Sequence, residues 1–167
     1  MSDRADHQFA TRAVSWGEEP TESGAGDVVS PIHLASTFAV PGIDEEFKLD
    51  EADPEAGEFL YGRLSNPTRH ALEKRLAALE GGAHGLAFAS GTAAISTLFF
   101  ATLTPGDHVV AIDDLYAGTR RMLEDFFRDR LNVAVSFVDA TDVDAVADAM
   151  RPETALVYME TPTNPLL

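Results

Sequence analysis

The sequence predicts an α/β fold with a mostly parallel sheet and helices on both faces. Three observations predict it. Between residues 86 and 159 short apolar runs, fit for buried strands, alternate with runs of helical length. The joints between them are marked by Gly and Pro, as at Thr104-Pro105-Gly106-Asp107. Three of the strand ends run into polar, small-residue loops, which is where open α/β sheets hold their ligands.

Taken in order, residues 1–60 read as an amino-terminal arm and a mobile acidic loop, and residues 61–167 as the first part of an α/β domain. Phe9, Ala13, Val14 and Trp16 make a weak helical stripe ended by Gly17 and Pro20, an arm that packs onto something else. Residues 30–38 are irregular but apolar, and residues 43–58 are acidic with Pro54 and Gly57. Tyr61-Gly62-Arg63 is expected in extended chain, where residues two apart share a side. A Tyr hydroxyl and an Arg fork on one side can grip a phosphate, although on spacing alone a surface Arg beside a half-buried Tyr is the favoured reading. Asn66-Pro67-Thr68 starts a helix, with Asn66 as N-cap and Pro67 in the first position. Leu72, Leu76 and Leu79 form its apolar face, and Gly81-Gly82 stops it.

Residues 86–89 read as a short buried strand, Ser90-Gly91-Thr92 as a tight turn, and the apolar run to about residue 103 as a helix. Such a turn leaves the first helical N–H groups unpaired beside the positive end of the helix dipole, which is an anion site. The plainer reading makes Ser90 an ordinary N-cap. Neither the Gly-x-Gly-x-x-Gly fingerprint nor the Gly-x-Ser-x-Gly elbow fits, because Phe88 and Thr92 flank Ser90. Strands follow at 108–112, 133–138 and 154–159, with helices at about 120–130 and 143–150 between them. The loop Asp113 to Thr119 follows the first of these strands and Glu160-Thr161-Pro162-Thr163-Asn164-Pro165 the last.

Composition narrows the class. Asp and Glu number 28 against 12 Lys and Arg, a formal charge of -16 over 167 residues. Such a chain repels nucleic acid and anionic membrane, and its charge suggests a high-salt, halophilic setting. With no Cys there is no disulfide, thiolate metal site or Cys nucleophile. The five His are too scattered to place two on one helical face for a metal. No apolar run reaches the length of a membrane span and residues 1–10 carry no signal core, so the expected compartment is the cytoplasm.

Taken together, Ser30-Pro31-Ile32, Ser36-Thr37-Phe38, residues 61–68, Ser90-Gly91, residues 114–119 and residues 160–165 resemble the Cys/Met-metabolism family of pyridoxal-phosphate enzymes. That family, the cystathionine γ-synthase, β-lyase and γ-lyase group, has the aspartate-aminotransferase-like fold (fold type I). The resemblance implies that Ser90, Gly91 and Thr92 bind the phosphate of pyridoxal 5'-phosphate and that Tyr116 stacks on its ring and assists proton transfer. It implies that Tyr61 and Arg63 reach the same phosphate from a neighbouring subunit, in a homo-oligomer, dimer or homotetramer, whose active site is shared across a dimer. Asn164 then hydrogen-bonds the cofactor's phenolic oxygen and Glu160 fixes that loop, while Tyr61 and Arg121 face the amino-acid substrate. Thr92 stands where the family often has Met or Leu, which leaves the backbone N–H unchanged.

The chemistry also needs a lysine to bond the cofactor and an acid for its ring nitrogen. Only Lys48, in the acidic loop, and Lys74, on a helix, are present, and neither follows a strand. The family's lysine and aspartate lie beyond the Asn-Pro pair, so the chain is expected to be the amino-terminal part of a longer enzyme and inactive alone. The expected activity is transsulfuration in cysteine and methionine metabolism. It is γ-elimination on cystathionine or γ-replacement on an activated homoserine, and residues 72–79 and 86–91 look somewhat more like the γ-lyases. The alternative is a non-catalytic module that binds phosphate or a subunit.

Overall fold

The computed structural model describes residues 8–16, 27–39 and 52–164. It falls into two compact units, Met1–Ala87 and Phe88–Leu167.

In the first unit, the helical stripe forms α1, Phe9–Ser15, and the Asn-Pro start opens α2, Pro67–Glu80. The arm packs on α2: Arg12 Nη1 donates to the Ala78 carbonyl at 2.6 Å and Arg75 Nε to the Trp16 carbonyl at 2.9 Å. Asn66 caps α2 by accepting the Thr68 N–H at 2.9 Å, and its amide donates to the His33 carbonyl at 3.0 Å. One capping residue therefore also ties down the irregular apolar stretch. Gly81, at φ 70°, closes the helix in the left-handed conformation that glycine adopts without penalty. Residues 43–51 of the acidic stretch, Lys48 among them, lie outside the described residues. Beyond them Pro54–Ala56 forms a 3-10 turn, and its Glu55 pairs with Lys74 at 3.3 Å.

Two expectations for this stretch are corrected. Tyr61 makes only an isolated antiparallel bridge with Thr37, and the chain then turns, with the Leu64 and Ser65 N–H groups both donating to the Tyr61 carbonyl. Arg69, in the first turn of α2, holds that turn by donating to the Arg63 and Leu64 carbonyls, so the chain cannot run on extended. The strand expected at 86–89 is not formed, and residues 84–88 have no ladder partner among the described residues. The Ala87 N–H is instead spent on Glu73 Oε1 at 2.9 Å, and a Cβ on Gly85 would stand 2.4 Å from the Glu73 carbonyl oxygen. The segment lies along a helix rather than beside a strand.

The second unit is the parallel sheet. Its three strands, β1 (His108–Ile112), β2 (Ala134–Val138) and β3 (Thr154–Tyr158), stand in the order β2-β1-β3, all parallel. Every residue of β1 is buried, as a near-continuous apolar run at the centre of a covered sheet requires. The helix α3, Gly91–Thr102, contributes Phe99, whose ring meets Phe127 at 5.5 Å and Tyr158 at 5.1 Å, both nearly edge-on. Leu103, Val109, Ala111, Ile112, Leu115, Leu123 and Val133 complete that core.

The helix expected at 120–130 starts earlier. It begins as α4, Ala117–Arg121, passes through a π-helical segment, Met122–Arg128, and ends as α5, Asp129–Leu131. Asn132, in the left-handed conformation at φ 57°, ends it. The last helix, α6, is Val143–Ala149, capped by Asp142. Among the described residues no helix is long and apolar enough to cross a membrane.

Candidate functional site

Most of the expected site residues lie in the second unit. Ser90 is the N-cap of α3, and its Oγ accepts the Ala93 N–H at 3.1 Å while its carbonyl accepts that of Ala94, also at 3.1 Å. That leaves the Gly91 and Thr92 N–H groups with no partner among the described residues. Both residues are exposed, the first turn carries no acid, and a Cβ on Gly91 would meet nothing within 4 Å. Two donors without a partner among the described residues, at the positive end of a twelve-residue helix and beside open space, suit a phosphate. The Ser90 hydroxyl hydrogen remains free to donate as well.

Tyr116 ends the loop after β1 and stands at the N-cap position of α4, which packs against α3. Its N–H donates to Glu160 Oε2 at 2.8 Å, and its carbonyl accepts the Arg120 N–H at 3.0 Å. The other oxygen of Glu160 accepts the Thr119 hydroxyl at 3.0 Å and the Tyr158 hydroxyl at 3.1 Å. One carboxylate thus ties the loop after β1 to the loop after β3. Burial, then the hydrogen bond to Glu160 and its charge, push the Tyr158 phenol up to about 12, against a smaller opposing effect of Thr119. Tyr158 therefore remains a donor throughout the neutral range. The Tyr116 residue itself is 48 % exposed.

Arg120 is fully engaged. It donates to the Asp113 carbonyl at 3.0 Å, pairs with Glu124 at 3.3 Å and lies 4.1 Å over the Phe137 ring. Arg121, the expected substrate contact, is exposed and has no side-chain partner among the described residues. Asn164 is exposed in the turn after β3. Tyr61 and Arg63 belong to the first unit, where the turn at Gly62 still brings the Arg63 guanidinium 5.2 Å from the centre of the Tyr61 ring. Both are exposed. Sequence reasoning missed Thr119 and Tyr158. A signal existed for the second, since Tyr158 and Glu160 are two apart at a strand end and so share a side.

A model of the family described as Cys/Met metabolism PLP-dependent enzyme matches residues 10–167. The chain is 42% identical over 162 residues to a probable cystathionine gamma-synthase of Herpetosiphon aurantiacus, across 97% of this chain and 47% of that protein. It is 46% identical over 147 residues to the cystathionine beta-lyase MetC of Bacillus subtilis, across 88% of this chain and 35% of that one. Among solved structures, cystathionine gamma-lyase from Lactobacillus plantarum complexed with L-serine superimposes with a TM-score of 0.82 at 37% identity, over 96% of this chain and 39% of that one. The chain thus spans less than half the length of these relatives.

Proposed function

Since the chain belongs to the Cys/Met-metabolism family of PLP-dependent enzymes, we propose that the whole protein is a transsulfuration enzyme acting on cystathionine by γ-elimination, or on an activated homoserine by γ-replacement. Relatives named synthase and lyase resemble it about equally, so the reading concerns the chemistry they share, change at the side chain of an amino acid after loss of its Cα proton. The observation that carries it is the pair of N–H groups at Gly91 and Thr92 that have no partner among the described residues, with open space beside Gly91, on a helix packed against the one that Tyr116 opens.

The bound cofactor supplies an electron sink for the carbanion at Cα. Gly91 and Thr92 bind its phosphate through backbone N–H groups, with the Ser90 hydroxyl as a third donor. Tyr116 presents its ring for stacking, and its hydroxyl exchanges protons with the substrate. The carboxylate of Glu160 holds the Tyr116 backbone in place. Asn164 donates to the phenolic oxygen of the cofactor, and Arg121 faces the substrate. Tyr61 and Arg63 complete the phosphate site from a second copy, which makes the active form a homo-oligomer. Lys74, on α2 in the first unit, pairs with Glu55 at 3.3 Å and is not assigned as the covalent lysine.

The test is spectroscopic. The whole protein mixed with pyridoxal phosphate should develop a visible absorption band that borohydride abolishes, and Gly91→Asp, which sets a carboxylate against the phosphate, should weaken binding at least ~10-fold. With cystathionine, γ-elimination releases 2-oxobutanoate, cysteine and ammonia, whereas β-elimination releases pyruvate, homocysteine and ammonia. Absence of any borohydride-sensitive band sinks the reading.

A further inference from the structure

Gly118, the second residue of α4, lies directly against the ring of Tyr116. A Cβ there would stand 2.4 Å from Cε1, 3.0 Å from Cζ and 3.1 Å from Cδ1 of that ring. These are three consecutive ring atoms, all inside ordinary van der Waals contact, so one edge of the ring occupies the space that a side chain at residue 118 would fill. We propose that Gly118 is a positioning residue: the absence of a side chain there sets the plane in which Tyr116 meets the cofactor.

The backbone gives this contact its force. The Tyr116 N–H is held by Glu160 and its carbonyl by the Arg120 N–H, so an added methyl is relieved by swinging the ring rather than by moving the loop. Gly118 sits within the helix and outside the left-handed region, so its backbone suits alanine and nothing in φ demands glycine. Glycine weakens a helix relative to alanine, so on propensity alone this position should favour alanine. The ring contact is what opposes it.

The proposal rests on the cofactor reading above, and the test keeps the two apart. Four versions of the whole protein are compared: wild type, Gly118→Ala, Tyr116→Ala and the double variant. Pyridoxal-phosphate affinity and the visible circular dichroism of the bound cofactor are read in each. Contacting residues couple strongly enough for Gly118→Ala to weaken affinity ~10-fold and alter the dichroism in the wild-type background. With Tyr116 already Ala, the same change should move affinity by less than ~2-fold. Equal effects in the two backgrounds, or an unchanged spectrum and affinity in Gly118→Ala, overturn the proposal. A second arm uses cofactor-free protein, where Gly118→Ala should raise the melting midpoint more in the Tyr116→Ala background than in wild type. Equal shifts there refute the contact itself. If wild type binds no cofactor, the proposed function fails and takes this role with it, whereas a failure confined to Gly118→Ala leaves the function standing.

Discussion

Glu160 is the residue on which the local arrangement turns, because its two oxygens accept from Tyr116 N–H, Thr119 Oγ1 and Tyr158 Oη. Thr119 is buried, so its hydroxyl has no ready substitute in water if the carboxylate is lost. Glu160→Gln keeps the size of the side chain but leaves one accepting oxygen where there were two, and removes the charge that strengthens all three bonds. The variant is expected to lose ~1–3 kcal/mol of stability in urea unfolding of cofactor-free protein, and the Tyr116 amide should exchange with solvent faster. A loss below ~0.5 kcal/mol with unchanged exchange would mean that the three donors find other partners. Glu160 was legible from its place in the Glu160 to Pro165 motif. Thr119 was not, because only the folded chain brings residues 41 apart into one hydrogen bond.

The strand β1 illustrates what an element adds. It is apolar except for His108, which is 1 % exposed and joins all three strands: Nδ1 meets Thr154 Oγ1 at 2.8 Å and Nε2 meets Ser136 Oγ at 2.9 Å. Both hydroxyls already accept from Arg151, through its N–H at 2.8 Å and its Nη2 at 3.1 Å. A neutral imidazole accepts from one hydroxyl and donates to the other, whereas a protonated ring must donate to both beside a guanidinium. Burial first, then the Arg151 charge, hold the His108 pKa below its usual 6.5, with Glu153 opposing. A lowered pKa means that the unfolded chain binds the proton more readily. This contribution to stability is therefore present above about pH 6.5 and is lost as pH falls below it toward the folded value. His108→Gln should flatten the difference in urea midpoint between about pH 7.5 and about pH 5 relative to wild type. A slope equal to that of wild type would remove His108 as its source. Elements with local signals were legible: the Asn66 cap, the Gly81 stop and the Ser90 cap each announce themselves within four residues. The start of α4 was not, since Ala117-Gly118-Thr119 reads as a turn and is held in place by Glu160, over 40 residues away. The segment 84–88 misled for the opposite reason: its apolar composition suits a strand, but the bond that fixes Ala87 comes from a helix side chain.

At the scale of the whole molecule, charge outweighs any single contact. A formal -16 over 167 residues leaves far more carboxylates than cations to pair with them. The ion pairs among the described residues do not offset this, since contacts such as Lys74 with Glu55 and Arg120 with Glu124 are surface pairs of little individual worth. Repulsion among unpaired carboxylates opposes the compact state more than the unfolded one, because folding brings them closer together. Its range is set by the solution, with a screening length of about 10 Å at 0.1 M salt and about 3 Å at 1 M. Raising potassium chloride from ~0.1 to ~1 M should therefore raise the melting midpoint by several degrees, most of the gain coming below ~0.5 M, where the screening length falls fastest. An uncharged osmolyte at matched osmolarity strengthens burial without screening and should not reproduce that early rise. Lowering the pH until a share of the carboxylates is protonated should shrink the salt effect, because the charge being screened is then smaller. A midpoint indifferent to chloride across that range would show that the carboxylates are spaced too widely to repel one another, and the expectation of a high-salt setting would lose its physical basis.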